Sequence, residues 1–296
     1  MSQSSFGARS TASEVIAGHD LSGKTILITG ASAGIGYETV RALLSAHAEV
    51  IIAGRDRARG EQAVQALQRA YPESPVHFLP LDLGLLASVR QTVEQFFARW
   101  NRLDVLINNA AIAAVPLSYT PDGFEQQFAT NFLGHFLLAQ LLLPALRSAA
   151  PARVVSLTSG THRASDIHFD DIQYRHRPYD KWEAYGQSKT ADALLAVALT
   201  RRFRAQGITA NAVNPGGVSR DFSGICRMRK GVRGTTMKQV ISIQSSKRLS
   251  RARQRLSGPA LPQNWMELAA STWRIVSKAS RIIRRFPPSP AICPML

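Results

Sequence analysis

Tyr185 and Lys189 stand four residues apart in Tyr185-Gly186-Gln187-Ser188-Lys189, a spacing that puts both side chains on one face of a helix. A phenol of ordinary pKa, ~10, carries protons poorly at neutral pH. A fixed ammonium beside it favours the phenolate and makes the pair a usable general acid and base. A second chemical feature is the turn Thr29-Gly30-Ala31-Ser32-Ala33-Gly34-Ile35-Gly36. Its glycines let backbone approach a pyrophosphate, and the helix that follows offers unpaired N–H groups and a positive dipole end. Taken singly, a Tyr and a Lys at this spacing are common on helix surfaces, and a glycine-rich turn is often only a tight strand-to-helix connection.

These residues need elements to hold them. Short β-rich apolar runs at 25–29, 50–53, 76–79, 105–108, 154–157 and 208–213 alternate with helical patterns near 35–46, 57–70, 86–100, 123–147 and 183–206. That alternation predicts an α/β fold, a Rossmann-like doubly wound parallel sheet in a single domain. The glycine turn then follows the first strand. Ser159 ends the fifth, where a hydroxyl faces the ligand crevice of an open sheet. Residues 1–19 are polar and expected to be disordered, 20–222 form the catalytic and cofactor-binding domain, and 223–296 are a tail of different composition.

The spacing G-x-x-x-G-x-G, with Asn108-Asn109-Ala110-Ala111, Ser159 and the Tyr185/Lys189 pair, resembles the short-chain dehydrogenase/reductase superfamily. The long gap between Ser159 and Tyr185, together with Ser159-Gly160-Thr161-His162, is similar to the branch of retinol dehydrogenases and WW-domain oxidoreductases. The resemblance implies that Tyr185 exchanges the alcohol proton, Ser159 steadies the substrate oxygen, and Lys189 binds the nicotinamide ribose. It makes Asn131 the residue that holds a water near Lys189; without it, Asn131 reads as a polar group satisfying backbone inside a helix. The implied cofactor contacts are Gly30, Ser32, Ala33, Gly34, Ile35 and Gly36 in the turn, Asp82 and Leu83 after the third strand, and Asn109 and Ala110 after the fourth. Pro215, Gly216 and Val218 follow the sixth strand, and Tyr185 and Lys189 complete the set. The implied substrates are lipophilic alcohols, aldehydes or ketones, and the implied assembly is a homo-oligomer through the helices carrying Asn131 and Tyr185. Two positions depart from the family pattern: Ala111 stands where its N-N-A-G motif has glycine, and Arg220 where it has threonine.

At the end of the second strand an acidic residue would accept the ribose hydroxyls of NAD. Gly54-Arg55 stands there instead. A guanidinium suits a 2′-phosphate, so NADP(H) is the preferred cofactor, with NAD(H) also admitted. The alternative is that Arg55 and Arg57 simply open a solvated helix.

Composition sets the outer bounds. The chain has 296 residues, 45% of them hydrophobic and 19% charged, enough for a sizeable core. Cys226 and Cys293 are too few for a disulfide framework, and no spacing suggests a metal site. No apolar run reaches the roughly 20 residues of a membrane span. The start Met1-Ser2-Gln3-Ser4-Ser5 lacks a secretory pattern, so a cytoplasmic location is expected. The net charge of +16 invites a nucleic-acid reading until it is divided: residues 1–220 carry 21 basic and 18 acidic side chains, the last 76 carry 15 and 2. The basicity belongs to the tail.

Beyond about Phe222 the family's last elements are missing, so the last strand is expected to be absent or altered. One explanation is a shifted reading frame. If the third base of each codon is read with the first two of the next, Asn264-Trp265, Trp265-Met266 and Met266-Glu267 force Leu, Asp and Gly. The stretch through Val276 then permits P-E-L-D-G-V-G-G-K-Y-L-E-D-C, which resembles the family's missing end. Codons incompatible with that string would exclude it. The rival reading takes Trp273-Arg274-Ile275-Val276, Ile282-Ile283 and their basic neighbours as an amphipathic helix for anionic membrane or nucleic acid. The sequence therefore favours an NADP-dependent oxidoreductase with no nucleic-acid partner. A cofactor-binding protein of impaired turnover comes next, and an interaction protein acting through its tail comes last.

Overall fold

A computed structural model describes Phe6 and residues 10–216. Val218, Arg220, the expected missing strand and the whole basic tail lie outside the described residues.

Six strands form one parallel sheet: β1 (Thr25–Thr29), β2 (Glu49–Gly54), β3 (Val76–Pro80), β4 (Val105–Asn108), β5 (Ala152–Leu157) and β6 (Ile208–Val213). Their order is β3-β2-β1-β4-β5-β6. Every residue of β1 is buried, as expected for a central parallel strand covered on both faces. The chain leaves β1 toward β2 on one side and returns to β4 on the other. Such a reversal opens a crevice at the carboxyl ends of the two strands. That crevice is where the glycine turn and Asn109 sit.

The helices are α1 (Ala12–Ile16), α2 (Gly34–Ser45), α3 (Arg57–Ala70), α4 (Leu86–Phe97), α5 (Gln126–Phe128), α6 (Gly134–Leu141), α7 (Leu143–Ser148) and α8 (Lys181–Phe203). α1 falls within the segment read from the sequence as disordered; Thr11 and Glu14 close a reciprocal capping box on it. Asp56 caps α3 by accepting from the Arg59 N–H at 3.0 Å. Asp180 caps α8 by accepting from Trp182 and Glu183 at 2.9 and 2.7 Å. Both are aspartates at the N-cap, where their oxygens meet otherwise unpaired donors.

The single helix expected over 123–147 is interrupted. A π turn at Ala129–Leu133 separates α5 from α6, and Pro144, lacking an N–H, stands at the start of α7. Pro can open a helix but not continue one. Inserted π turns concentrate at functional positions, and this one carries Asn131.

Candidate active site

The glycine turn is shaped by contacts that only glycine allows. Gly30 has φ +65°, and a Cβ there would lie 2.7 Å from the Ala110 Cβ. A Cβ on Gly36 would lie 2.7 Å from Asn109 Nδ2 and 2.8 Å from the Ala31 Cα. The turn, the start of α2 and the end of β4 are thus packed backbone to backbone. Asn109 locks them together, its Nδ2 donating to the carbonyls of Thr29 at 2.7 Å and Gly30 at 3.1 Å.

These residues fit a dinucleotide phosphate. The N-cap of α2 is Ala33, extended and without any side-chain hydrogen bond to the first turn, unlike the aspartate-capped α3 and α8. Among the described residues, nothing lies within 4 Å of a Cβ placed on Gly34. Ser32, Ala33 and Ile35 are half-buried along the same turn. The first-turn N–H groups of α2 therefore face room for an anion.

Around the crevice, Asp82 is half-buried and Leu83 buried, and Asp82 Oδ1 accepts from the Gly84 N–H at 2.8 Å. Arg55 is exposed just past β2. Pro215 and Gly216 follow β6, with the Gly216 N–H on Asn214 Oδ1 at 3.1 Å.

α8 positions the catalytic candidates. Lys189 is buried, and its ammonium donates to the Leu157 carbonyl at the end of β5 and to Asp192 Oδ2, both at 2.9 Å. Thr158, next in the chain, returns a bond from its hydroxyl to the Lys189 carbonyl at 2.9 Å. Lys189 is therefore held at the end of β5 through both its ammonium and its carbonyl. From there the ammonium lies 5.8 Å from the centre of the Tyr185 ring. Tyr185 itself is half-buried. One turn earlier, Trp182 meets the Tyr185 ring edge-on at 6.5 Å and remains 54% exposed. Ser159, half-buried after β5, accepts from the Thr161 N–H at 3.3 Å; among the described residues its own hydroxyl proton meets no acceptor.

Asn131 is fully buried. Its Oδ1 accepts from the Ile112 N–H at 2.9 Å, and its Nδ2 donates at 2.9 Å to the Ile112 carbonyl and to Ser188 Oγ. Ser188 in turn donates to the Tyr185 carbonyl at 2.8 Å. Asn131 thus joins the segment after β4 to α8, one residue from Lys189. Asn131 therefore satisfies backbone at Ile112, as its residue type suggests, and also reaches α8 through Ser188.

Three participants escape sequence reasoning. Thr29 ends β1, and its hydroxyl accepts from the N–H groups of Asn109 and Ala110, each at 3.0 Å. His135 stands one helical turn after Asn131 and is buried against the Asn131 carbonyl. Asp192, one turn after Lys189, is equally buried. The last two could have been flagged as charged or titratable residues interrupting apolar helix faces, a pattern that demands a partner.

The family model for short chain dehydrogenase matches residues 24–227. A Streptomyces lividans protein named probable oxidoreductase is 45% identical over 221 residues, covering 74% of this chain and 70% of that protein. Mouse retinol dehydrogenase 12 is 45% identical over 194 residues, covering 66% and 61%. Human WW domain-containing oxidoreductase is 39% identical over 218 residues, covering 71% and 53%. Among solved structures, an uncharacterized protein from Mycobacterium paratuberculosis shares 41% identity over 67% of this chain and 70% of its own, with a TM-score of 0.60. The Pseudomonas aeruginosa RhlG/NADP active-site complex shares 32% over 67% and 73%, with a TM-score of 0.54. The matched span takes in the glycine turn, the crevice between β1 and β4, and the pinned helix with Tyr185 and Lys189. The chain belongs to the short chain dehydrogenase family, as a nicotinamide-dependent oxidoreductase of the retinol dehydrogenase-like kind.

Proposed function

We propose that the protein interconverts a lipophilic alcohol and its carbonyl, with NADP(H) as the preferred cofactor and Tyr185 as general acid and base. The observation that carries the reading is the fixed relation of Lys189 to Tyr185 on α8, 5.8 Å from ammonium to ring centre. When bound, the nicotinamide supplies or accepts hydride at the reacting carbon. Tyr185 delivers or removes the hydroxyl proton. Ser159 donates its free hydroxyl proton to the substrate oxygen. Two of the three N–H donors of Lys189 are used by Leu157 and Asp192, and the third serves the ribose. Gly30, Gly34, Gly36, Ser32, Ala33 and Ile35 line the pyrophosphate, Asp82 and Leu83 the adenine, Asn109 and Ala110 the floor of the crevice, and Pro215 and Gly216 its far wall.

Arg55 supports the cofactor preference. It is exposed at the carboxyl end of β2, and Asp56 beside it is occupied as the α3 cap rather than presented to a ribose. The NADP in the Pseudomonas aeruginosa RhlG complex supports the same preference. Trp182, beside Tyr185 and half exposed, gives an apolar wall suited to a greasy substrate. Among the described residues no helix is long and apolar enough to cross a membrane. A homo-oligomer built through the helical segment carrying Asn131 and through α8, which carries Tyr185, and a cytoplasmic location complete the reading.

The test is titration with NADPH and NADH by fluorescence, followed by turnover of long-chain aldehydes and alcohols. Tighter NADPH binding with turnover is expected. NADPH binding without turnover of any carbonyl would favour a cofactor-binding protein, and binding of neither nucleotide would overturn the proposal.

A further inference from the structure

The Lys189–Asp192 pair is an unusual thing to find in the middle of a packed helix. Both side chains are almost wholly buried, 3% and 4% exposed, and the carboxylate Oδ2 sits 2.9 Å from Nζ. Asp192 Oδ1, also buried, has no hydrogen-bond partner among the described residues. The neighbours on α8, Ala191, Leu194 and Leu195, are apolar and fully packed. A half-satisfied carboxylate in such surroundings is a net cost to folding, and a well-packed apolar residue would serve stability better. Its presence calls for a role in what Lys189 does.

We propose that Asp192 is the positioning residue for Lys189: it fixes the ammonium at the end of β5 and offsets part of its charge, and through it governs the pH range in which Tyr185 exchanges its proton. The proposal rests on the reading of Tyr185 and Lys189 given above. Three facts support it. Lys189 is held at two points, and the Leu157 carbonyl alone would leave it free to swing about one bond. The carboxylate is one helical turn from the ammonium and the ammonium one turn from the phenol, so removing the negative charge strengthens the positive field at the phenol. Burial pushes the Asp192 carboxyl up to about 6, against the pull of Lys189, so the pair changes charge close to neutrality.

Among the described residues, the elements packed against α8 carry few other charges. The 3-10 turn Gly160–Arg163 presents His162 and Arg163, β5 presents Arg153, the segment before the π turn presents Glu125 as a helix cap, and Arg204 lies beyond the helix end. β6 contributes no titratable residue. From α6, His135 faces Lys189 and is kept neutral, its pKa lowered to about 4 by burial. Lys189 is the charge that acts on Asp192.

The test is an ultraviolet difference titration of tyrosinate in the whole chain, taken as wild type minus Tyr185→Phe, and repeated in an Asp192→Asn background. The amide oxygen of asparagine still accepts from Nζ, so position is kept and charge is lost. The Tyr185 midpoint is expected to fall by about one pH unit. An unchanged midpoint would overturn the proposal and make Asp192 a packing residue. Asp192→Leu, with both roles removed, should in addition raise the NADPH dissociation constant about tenfold, whereas Asp192→Asn should leave it within about twofold; equal losses in the two variants would count against positioning. Circular dichroism melting confirms that each variant is folded. The titration needs no turnover: a wild type without oxidoreductase activity would refute the proposed function, and a shifted midpoint in that same protein would leave the role of Asp192 standing.

Discussion

The imidazole Nε2 of His135 lies 2.8 Å from the hydroxyl of Thr29. The Thr29 oxygen already accepts from the N–H groups of Asn109 and Ala110, so its hydrogen goes to the ring. Nδ1 then carries the proton, which it donates to the Asn131 carbonyl at 2.7 Å. One neutral ring in one tautomer therefore connects the end of β1, the backbone after β4 and the π turn that bears Asn131. The crevice at the glycine turn and the π turn bearing Asn131 are thus tied through one buried ring.

That linkage predicts an acid sensitivity with a definite sign. The pKa of His135 is lowered to about 4 by burial, against about 6.5 unfolded. The stability held in the neutral ring is fully present above the unfolded value and is lost as pH falls from there toward 4. In denaturant melts near neutral pH, His135→Phe should be about 1–3 kcal/mol less stable, because the Thr29 hydroxyl and Asn131 carbonyl lose their partner. By about pH 5 the wild type should have lost roughly 2 kcal/mol that the variant does not lose, narrowing the gap. Asp192, raised to about 6, acts in the opposite direction and is common to both proteins. A gap that stays constant with pH would contradict this.

Gly36→Ala adds a methyl where Asn109 Nδ2, the Ala31 Cα and the Gly30 carbonyl all lie under 3 Å. Overpacking of this kind costs about 1–3 kcal/mol. Because it displaces the floor of the crevice, NADPH affinity should fall at least about tenfold even in the folded fraction; calorimetric melting and nucleotide titration together check both effects. Unaltered nucleotide binding would mean that the turn does not approach the cofactor.

Arg55→Ala removes the exposed guanidinium after β2. One charge-assisted hydrogen bond to a 2′-phosphate contributes about 1.5–3 kcal/mol, so the NADPH dissociation constant should rise by one to two orders of magnitude. NADH, lacking that phosphate, should bind as before. Equal losses for both nucleotides would remove the basis for the NADP preference.

Much of this was legible in the sequence because parallel strands and amphipathic helices write periodic signals. The runs at 25–29 and 208–213 became β1 and β6 within the same bounds, and the spacing of Tyr185 and Lys189 delivered one helix face. The break at Ala129–Leu133 was not legible. The turn accompanies bonds of Asn131 to Ile112 and Ser188, 19 and 57 residues away, which leave no local pattern. Asp192 is legible as a charged residue interrupting an apolar helix face, but its partner is not: that depends on the burial of Lys189 beside it, which is a property of the fold.

In the proposed reaction the Tyr185 hydroxyl, held beside Lys189, moves the proton. The direct measurement is turnover of an alcohol or aldehyde by Tyr185→Phe alongside its NADPH dissociation constant. Nucleotide binding is expected within a few-fold of wild type, with turnover reduced on the order of 10²- to 10⁴-fold. Binding and turnover both unchanged would contradict that role of Tyr185.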